Sequence, residues 1–251
     1  MKQKMHIRGS QSSFMEDGQA LSAWGTGCFR RQLIGSYGIE GPFPEAIART
    51  GAANEEVYAS ELYYAGIVYV REMEVNQEVT ATISLSGRVD FFCPFEEFKV
   101  RELKSATSEK TLTEVIKRGH YKPNNLAQLV SYMVVLEEPK GILHYTYYDK
   151  AQEDYIPTAV RAFQVTIDDD GRILVDGEDS EFTVANLLSH RYNSAMWLVD
   201  PEVPPLPKGH LDKWKSPCKY CDFRQTCNMY DCGMITTKEE FIQQAAKGVK
   251  R

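Results

Sequence analysis

The middle of the chain carries a strict alternation of apolar and hydroxyl-bearing residues, and this pattern constrains the fold more than any other. The apolar members are Val79, Ala81, Ile83 and Leu85. A period of two is typical of a β-strand with one buried face. Because the alternation continues through residue 91, Val89 and Phe91 fall on the apolar face and Asp90 falls on the polar one. We therefore expect a strand that presents a carboxylate on its open face.

The other segments predict helices and strands in mixed order. Helical patterns are expected over residues 46–65 with a break near Gly51, over 125–138 after Pro123, and over 182–198. Strands are expected over residues 68–75, 98–104, 142–148 and 158–167, with a hairpin turn at 169–171. Prolines between residues 199 and 217 exclude a regular element there. This order predicts one mixed α/β domain with a C-terminal extension.

Length and charge exclude some classes of protein. The 251 residues suffice for one substantial domain, and the apolar runs are far shorter than the ~20 residues needed to cross a bilayer. The basic N-terminus is not followed by an apolar stretch, so we expect no secretory signal and a cytoplasmic protein. A net charge of −6 argues mildly against a nucleic-acid partner, although a basic groove can coexist with acidic outer faces.

A carboxylate and an ammonium group are expected side by side on the strand predicted over residues 98–104. Glu102 and Lys104 are two residues apart, so their side chains point the same way, about 6.6 Å apart along the strand. Asp90 can supply a second carboxylate, and two carboxylates with a backbone carbonyl suit Mg²⁺. A lysine beside such an ion can orient the water that attacks phosphorus. Taken alone, Glu102 and Lys104 also fit a surface ion pair.

The helix that follows carries a second polar pair. Gln128 and Tyr132 are four residues apart and therefore share one helix face. An amide and a phenol would project together from that face, either toward the carboxylates or, as a solvated polar face, toward water.

The cysteines predict a metal site. In a reducing compartment disulfides are rare, so clustered cysteines are more often metal ligands. Cys218, Cys221 and Cys227 have the spacing Cys-x2-Cys-x5-Cys. The candidates for a fourth ligand are Cys28, Cys93 and Cys232. Four cysteines suit Zn²⁺ or an iron–sulfur cluster, and spacing alone leaves both open.

These motifs in this order resemble those of a known enzyme family. Gly87-Arg88-Val89-Asp90, then Glu102-Leu103-Lys104, then Gln128-x3-Tyr132 are similar to the motifs of the RecB-like branch of the PD-(D/E)XK nucleases. With the cysteines, the chain resembles the iron–sulfur members of that branch. Those members include the CRISPR-associated exonuclease that trims captured DNA, the AddB recombination subunit and phage-encoded relatives. The resemblance extends from Cys28 to Cys227.

The resemblance implies a fold and a division of the chain. We expect a restriction-endonuclease-like core, in which helices flank a central mixed β-sheet, with a cysteine-cluster extension packed against the N-terminal region. Residues 1–50 would form an N-terminal helical region with the first cluster cysteine, and residues 51–198 the nuclease core. Residues 199–251 would form a proline-rich strap and the C-terminal iron–sulfur segment.

The resemblance also assigns roles to the residues of the site. Asp90, Glu102 and the carbonyl of Leu103 would hold Mg²⁺ or Mn²⁺, and Lys104 would position the nucleophilic water. The residues that would support the site and touch DNA are Gln128 and Tyr132. Cys28 would join Cys218, Cys221 and Cys227 around a [4Fe–4S] cluster, with Zn²⁺ as the alternative.

One position departs from the family pattern. Many relatives carry a metal-binding histidine in a Gly-x3-His-Glu pattern, and the matching stretch here begins at Gly51 and has Asn54 in the histidine's place. Glu55 is then a candidate metal ligand, directly or through water. A buried capping role for Asn54 is the alternative.

The function expected from these motifs is a metal-dependent DNA nuclease. It would act as an exonuclease on single-stranded DNA or DNA ends, in recombination, repair or CRISPR-type spacer processing. Its partners would be DNA and a CRISPR integrase or recombination complex, with no membrane. Two alternatives remain: a non-catalytic iron–sulfur DNA-binding or scaffold subunit of a larger complex, and a redox protein built around the cluster. The chain has no phosphate-binding loop of an ATP-driven helicase.

Overall fold

The computed structural model describes residues 28–37, 39, 45–78, 84–106, 108–148, 157–204, 221 and 223–249. The chain divides into two compact units. The sheet unit comprises Pro44–Val75 and Gly87–Ser189, and the terminal unit comprises Met1–Phe43, Asn76–Ser86 and His190–Arg251.

Groups of helices and groups of strands follow one another along the described residues. The helices are α1 (Phe29–Ser36), α2 (Glu45–Tyr64), α3 (Glu109–Thr111), which continues into a π-helical segment (Leu112–Lys117), α4 (Pro123–Val135), α5 (Val184–Val199), α6 (Arg224–Asp231) and α7 (Lys238–Val249). The strands are β1 (Val70–Glu78), β2 (Ser84–Phe92), β3 (Val100–Ala106), β4 (Lys140–Tyr148), β5 (Pro157–Ile167), β6 (Arg172–Val175) and β7 (Glu178–Thr183).

The seven strands described form one mixed sheet in the order β1-β2-β3-β4-β5-β6-β7. β3 and β4 are parallel, while β2–β3, β4–β5, β5–β6 and β6–β7 are antiparallel. The parallel pair requires a crossover, which α3, the π-helical segment and α4 provide. The predicted mixed α/β, restriction-endonuclease-like fold is confirmed.

Two helices cover opposite faces of β3. On one face, Tyr58 and Leu62 of α2 pack with Phe91 and Leu103 in a buried apolar cluster. Alternate residues of a strand point to opposite sides, so Glu102 and Lys104 face away from that cluster. Lys104 indeed contacts α4 through Gln128. The polar face of β3 is thus enclosed by a helix as well, which sets the conditions for a buried polar site.

Helix α4 approaches the sheet closely at a glycine. Pro123 stands in the first turn of α4, where its missing N–H costs nothing. Leu129 and Met133 are fully buried and lie over Gly141 of β4. A Cβ atom at Gly141 would come within 2.9 Å of Met133 Sδ and 3.1 Å of Leu129 Cδ1. A side chain at this position would therefore push α4 away from the strand.

The structure corrects the predicted break in the second helix. Helix α2 runs without interruption from Glu45 to Tyr64, through Gly51. A glycine within a helix costs only about 1 kcal/mol relative to alanine, and the packing of the rest of α2 outweighs that cost. The other predicted helices and strands are present with ends shifted by a few residues. The alternating stretch at 79–83 and the strap at 205–217 lie outside the described residues, and the three-part division stays a prediction.

No helix in the described part of the chain has the length and apolar character needed to cross a membrane.

Candidate active site

Neighbouring strands bring Asp90 and Glu102 together in the sheet unit. β2 and β3 pair with Phe91 opposite Arg101, so the next pair along this antiparallel register joins Asp90 and Glu102. Asp90 Oδ2 accepts a hydrogen bond of 2.7 Å from the backbone N–H of Leu103. Glu102 is almost completely buried, at 1% exposure. The two carboxylates predicted from the sequence therefore lie side by side.

Lys104 links these carboxylates to helix α4. Its Nζ donates to Glu102 Oε1 and, over 2.8 Å, to Gln128 Oε1. Gln128 Nε2 donates in turn to Tyr132 Oη at 3.3 Å. The backbone N–H of Arg88 on β2 also donates to Tyr132. The sequence pairs Glu102–Lys104 and Gln128–Tyr132 thus form one hydrogen-bonded chain across β3 and α4.

In this hydrogen-bonded network, the two carboxylates lie close together in a buried environment, and this raises their pKa values. Burial raises the pKa of Asp90 well above its usual value, and the charge of Glu102 raises it further, while Lys104 opposes the shift. Burial also raises the pKa of Glu102, again against Lys104. Burial lowers the pKa of Lys104, but Glu102 and Asp90 outweigh it, so the net shift is upward. One ammonium group faces two carboxylates.

One oxygen of the pair has no hydrogen-bond partner. Glu102 Oε2 is buried and accepts no hydrogen bond from the described residues. A buried, unpaired carboxylate oxygen is costly and calls for a partner. The described residues contain no group of three or more His, Cys, Asp or Glu side chains arranged to hold a metal ion. Asp90, Glu102 and the Leu103 carbonyl instead offer two carboxylates and a backbone oxygen, a donor set that suits a hard cation.

The structure distinguishes the two candidates on α2. Asn54 is buried, and its Oδ1 accepts a 3.0 Å hydrogen bond from Tyr148 Oη on β4. Glu55 is close enough to the site that its charge raises the pKa values of Asp90 and Glu102. Asn54 is therefore engaged with the sheet, and Glu55 is the member of the pair that acts on the carboxylates.

Sequence reasoning missed two residues around the site. Arg71 Nη2 donates to Glu55 Oε2 at 3.1 Å, and its Nη1 donates to Glu56. Tyr145 Oη accepts hydrogen bonds from Lys122 N and Asn125 Nδ2. Arg71 lies 16 positions from Glu55, on a different element, so no local pattern marks it. The period of two across β4 carries the only signal for Tyr145.

A comparison of the sequence with family models identifies the superfamily. Residues 37–228 match the model of the PD-(D/E)XK nuclease superfamily, which is most of the chain. The chain belongs to the PD-(D/E)XK nuclease superfamily. The matched residues include Asp90, Glu102, Lys104 and Gln128.

Solved structures agree with this superfamily fold. The alkaline exonuclease LHK-Exo from Laribacter hongkongensis is similar at a TM-score of 0.51 and 13% identity, over 73% of this chain and 88% of that one. The same exonuclease in complex with dAMP is similar at a TM-score of 0.50, with the same identity and coverage. Among curated proteins, none matches the sequence.

The terminal unit of this PD-(D/E)XK nuclease brings cysteines together. Burial is the main cause that raises the pKa of Cys227 to about 12, and Cys28 and Cys221 add to the shift. Cys28 and Cys221 are therefore close enough to Cys227 for their charges to act on it, although the described residues form no group arranged to hold a metal ion. Cys218 lies outside the described residues. Cys232 is exposed, and Cys93 is buried in the cluster under α2.

An arginine and an apolar cluster surround Cys227 in the terminal unit. Arg30, 5% exposed, donates to Pro204 O and to Asp231 Oδ1, both at 2.7 Å. Its side chain also hydrogen-bonds Cys227 and lowers that thiol's pKa. Around it, α1 packs with the C-terminal segment through Ile34, Val203, Phe223, Phe241 and Ala245. The expected packing of the C-terminal extension against the N-terminal region is present.

Proposed function

We propose that this nuclease is a Mg²⁺- or Mn²⁺-dependent deoxyribonuclease whose active site is built from Asp90, Glu102 and Lys104. The observation that carries the proposal is the buried carboxylate pair. Among the described residues, one ammonium group lies beside it and Glu102 Oε2 accepts no hydrogen bond. A divalent cation would neutralise the excess negative charge of the carboxylates and would give Glu102 Oε2 a ligand to bind.

The residues present fit such a cation. Asp90, Glu102 and the carbonyl of Leu103 would hold it, and Glu55 would join directly or through water, as its charge already acts on both carboxylates. When bound, the ion supplies a Lewis acid that neutralises charge on the scissile phosphate. The oxygen-only donor set is the one that Mg²⁺ and Mn²⁺ prefer.

Lys104 would position the nucleophilic water. An ammonium group has three N–H donors, and Glu102 and Gln128 engage two of them. The third would hold the attacking water or a phosphate oxygen, so that the positive charge stabilises the charge that develops in the transition state. Burial increases the effect of this charge because the surrounding dielectric is low.

Gln128 and Tyr132 would keep that lysine in place. Because Gln128 Nε2 donates to Tyr132, its carbonyl oxygen is turned toward Lys104. The tyrosine therefore fixes which end of the amide faces the lysine. Both side chains are buried, which limits their alternative rotamers. Contact of this pair with DNA remains part of the proposal.

The proposed substrate is single-stranded DNA or DNA ends. The similar structure is described as an alkaline exonuclease, and one of its complexes holds dAMP, a deoxynucleotide. The motif order, which resembles that of the RecB-like branch, supports a role in recombination, repair or CRISPR-type spacer processing. The corresponding partner would be a recombination complex or a CRISPR integrase, and a phage-encoded setting fits equally.

The second part of the proposal is a [4Fe–4S] cluster, with Zn²⁺ as the alternative. Cys28, Cys221 and Cys227 are near enough to interact, and Cys218 would complete the set. The surrounding apolar cluster shields the site, and the hydrogen bond from Arg30 favours the charged form of Cys227. The cluster would tie the start of α1 to the C-terminal segment.

The test is cleavage of end-labelled DNA by protein purified without oxygen. Single- and double-stranded substrates labelled at either end would be incubated with Mg²⁺, Mn²⁺ or chelator. We expect degradation that needs the metal and falls by at least about 10²–10³-fold in Lys104→Ala. Lys140→Ala, which removes a surface partner of Glu97, should cleave normally. No cleavage by a folded, cluster-bearing wild type would instead favour the scaffold subunit.

A further inference from the structure

Two lysines lie next to each other in the segment that connects β3 to α4. Lys122 Nζ donates to Thr111 Oγ1 at 3.3 Å, and Thr111 Oγ1 lies 2.8 Å from Ser108 Oγ. Lys110 is near enough for its charge to act on Lys122. Both lysines are exposed, whereas Thr111 is buried at 7% exposure. Two ammonium groups and two hydroxyls thus surround one small region of the surface.

Among the described residues, no carboxylate forms an ion pair with Lys110 or Lys122. Partial burial lowers the pKa of Lys122, and the charge of Lys110 lowers it further, so both influences oppose its positive charge. The nearby carboxylate of Glu114 forms ion pairs with Arg118 and His120. An anion bound between Lys110 and Lys122 would replace their repulsion with two attractive contacts.

The hydroxyls can add a directed hydrogen bond. Ser108 Oγ accepts from the backbone N–H of Thr111 at 3.2 Å, while Thr111 Oγ1 accepts from Lys122. The two hydroxyls share one hydrogen bond, and either can be its donor. In both cases one O–H proton remains for an external acceptor. Phosphate oxygens accept such bonds from lysines and hydroxyls.

Tyr145 connects this region to the reacting groups. Its Oη accepts hydrogen bonds from the backbone N–H of Lys122 at 3.2 Å and from Asn125 Nδ2 at 2.8 Å. The same phenol is close enough to Lys104 and Glu102 for both charges to act on it. A strand whose phosphate reacts at Lys104 would therefore pass near the two lysines.

We propose that Lys110, Lys122, Ser108 and Thr111 form a subsite for a backbone phosphate that neighbours the scissile one on a DNA strand. This subsite deepens the proposed nuclease function and rests on it for the identity of the ligand. The phosphates of one strand are evenly spaced along the backbone, so a strand that reacts at Lys104 would present a further phosphate to the two lysines. The subsite would position the strand, and Lys104 would act on the reacting phosphate.

The subsite is tested by DNA binding in the presence of chelator, where no cleavage occurs. The probe is a fluorescein-labelled single-stranded oligodeoxynucleotide, and its anisotropy gives Kd over a series of salt concentrations. Lys110→Ala and Lys122→Ala should each weaken binding about fivefold to tenfold at low salt and reduce the slope of log Kd against log salt by roughly 0.7. Lys117→Ala, an exposed lysine of the π-helical segment, is the matched control.

The outcomes separate this proposal from the catalytic one. Unchanged Kd and slope in both variants, with unaltered melting temperatures, would overturn the subsite whether or not the wild type cleaves DNA. Loss of affinity confined to 5′-phosphorylated probes would overturn the backbone assignment in favour of a terminal phosphate. In cleavage assays Lys122→Ala should raise KM and leave kcat near wild type, whereas Lys104→Ala should lower kcat. If the wild type binds DNA through the two lysines but does not cleave it, the result would contradict the proposed nuclease activity and would leave the subsite supported.

Discussion

Two buried carboxylates as close as Asp90 and Glu102 repel each other, and the groups around them show how the chain tolerates that repulsion. Lys104 offsets part of the charge, and the backbone N–H of Leu103 offsets another part at Asp90. Neither group reaches Glu102 Oε2, which stays without a hydrogen bond from the described residues. The excess negative charge lowers stability here, and a cation bound at the proposed site would offset it.

Glu55 offers a test of which side chain takes the place of the family's histidine. In Glu55→Gln, the carboxylate that acts on Asp90 and Glu102 is lost, so the Mg²⁺ concentration for half-maximal cleavage should rise about tenfold. Cleavage at saturating Mg²⁺ should fall much less. Glu56→Gln is the matched control, because Glu56 shares Arg71 with Glu55 but has a more exposed side chain. If both variants need the same Mg²⁺ concentration for half-maximal cleavage, Glu55 does not contribute to metal binding.

Local spacing predicts some residues of the site and leaves others out. The period of two placed Glu102 and Lys104 on one face, and the helical period placed Gln128 beside Tyr132. The structure adds that Lys104 joins these two pairs. Arg71 and Tyr145 depend on the pairing and packing of separate elements, which no single segment encodes. Asn54 departs from the family pattern, so its role could not be predicted from the motif. Its hydrogen bond with Tyr148 Oη accounts for the orientation of its side chain.

At the scale of elements, the enclosure of β3 between α2 and α4 buries the site. The sequence predicted both helices, but the break near Gly51 was wrong because single-residue propensity was given more weight than packing. The short α3, its π-helical continuation and the strands β6 and β7 include polar residues that obscure a periodic pattern. Such segments take their structure from neighbouring elements, and a single sequence reveals them poorly.

Two glycines allow the packing of α2 and α4 to be tested with the same substitution. Gly141→Ala should destabilise the protein by about 1–3 kcal/mol, because its Cβ would clash with Met133 and Leu129 of α4. Gly51→Ala meets no atom within 4 Å and should stabilise by roughly 0.5–1 kcal/mol through helix propensity. Free energies of unfolding from urea denaturation measure both. A neutral Gly141→Ala would show that α4 is not seated on β4 as described.

His144 gives the sheet unit a pH-dependent stability. Burial, with a contribution from Arg101, lowers its pKa to about 4, and its ring packs edge-on against Tyr58 at 4.8 Å. Between pH 4 and 6.5, His144 therefore binds a proton more readily in the unfolded chain than in the folded protein. The contribution of neutral His144 is complete above about pH 6.5 and is lost as the pH falls toward 4, by roughly 2–3 kcal/mol.

The measurement is the free energy of unfolding between pH 7.5 and 4.5. Other groups titrate in the same range, so the difference between wild type and His144→Gln isolates this histidine. We expect the variant to lose less stability on acidification than the wild type. His120→Gln, at an exposed histidine, should keep the wild-type dependence. Parallel curves for wild type and His144→Gln would contradict the assignment.

At the scale of the whole molecule, α1 and the described C-terminal segment pack together in the terminal unit although they are far apart in the sequence. Arg30 and Asp231, which form an ion pair at 2.7 Å, are 201 positions apart. The spacing of Cys218, Cys221 and Cys227 indicated a metal site, but the choice of Cys28 came from resemblance. Cys28 is close enough to Cys227 for its charge to act on that thiol, and its role as a ligand stays a prediction. The role of Arg30 could not be predicted, because the described residues that its side chain contacts, such as Pro204 and Asp231, lie in the last fifth of the chain.

Iron content and visible absorption test the cluster. Cys227→Ala should lose the visible absorption of the proposed cluster and most of its iron, and its melting temperature should fall because the link between α1 and the C-terminal segment is lost. Cys232→Ser, at an exposed cysteine, should keep both iron and stability. If wild-type protein purified without oxygen contains zinc in place of iron, the site holds the alternative metal, Zn²⁺. Full iron in Cys227→Ala would contradict the ligand set.

That Asp90 and Glu102 together hold a divalent cation is tested most directly by the thermal stability of the protein with and without Mn²⁺. A ligand that binds only the folded state raises the melting temperature, by several degrees when it is well above its Kd. We expect this rise in the wild type and in Glu97→Gln, an exposed carboxylate that pairs with Lys140. Asp90→Asn should show little or no rise. Equal rises in Asp90→Asn and wild type, or none in the wild type, would contradict the proposed site.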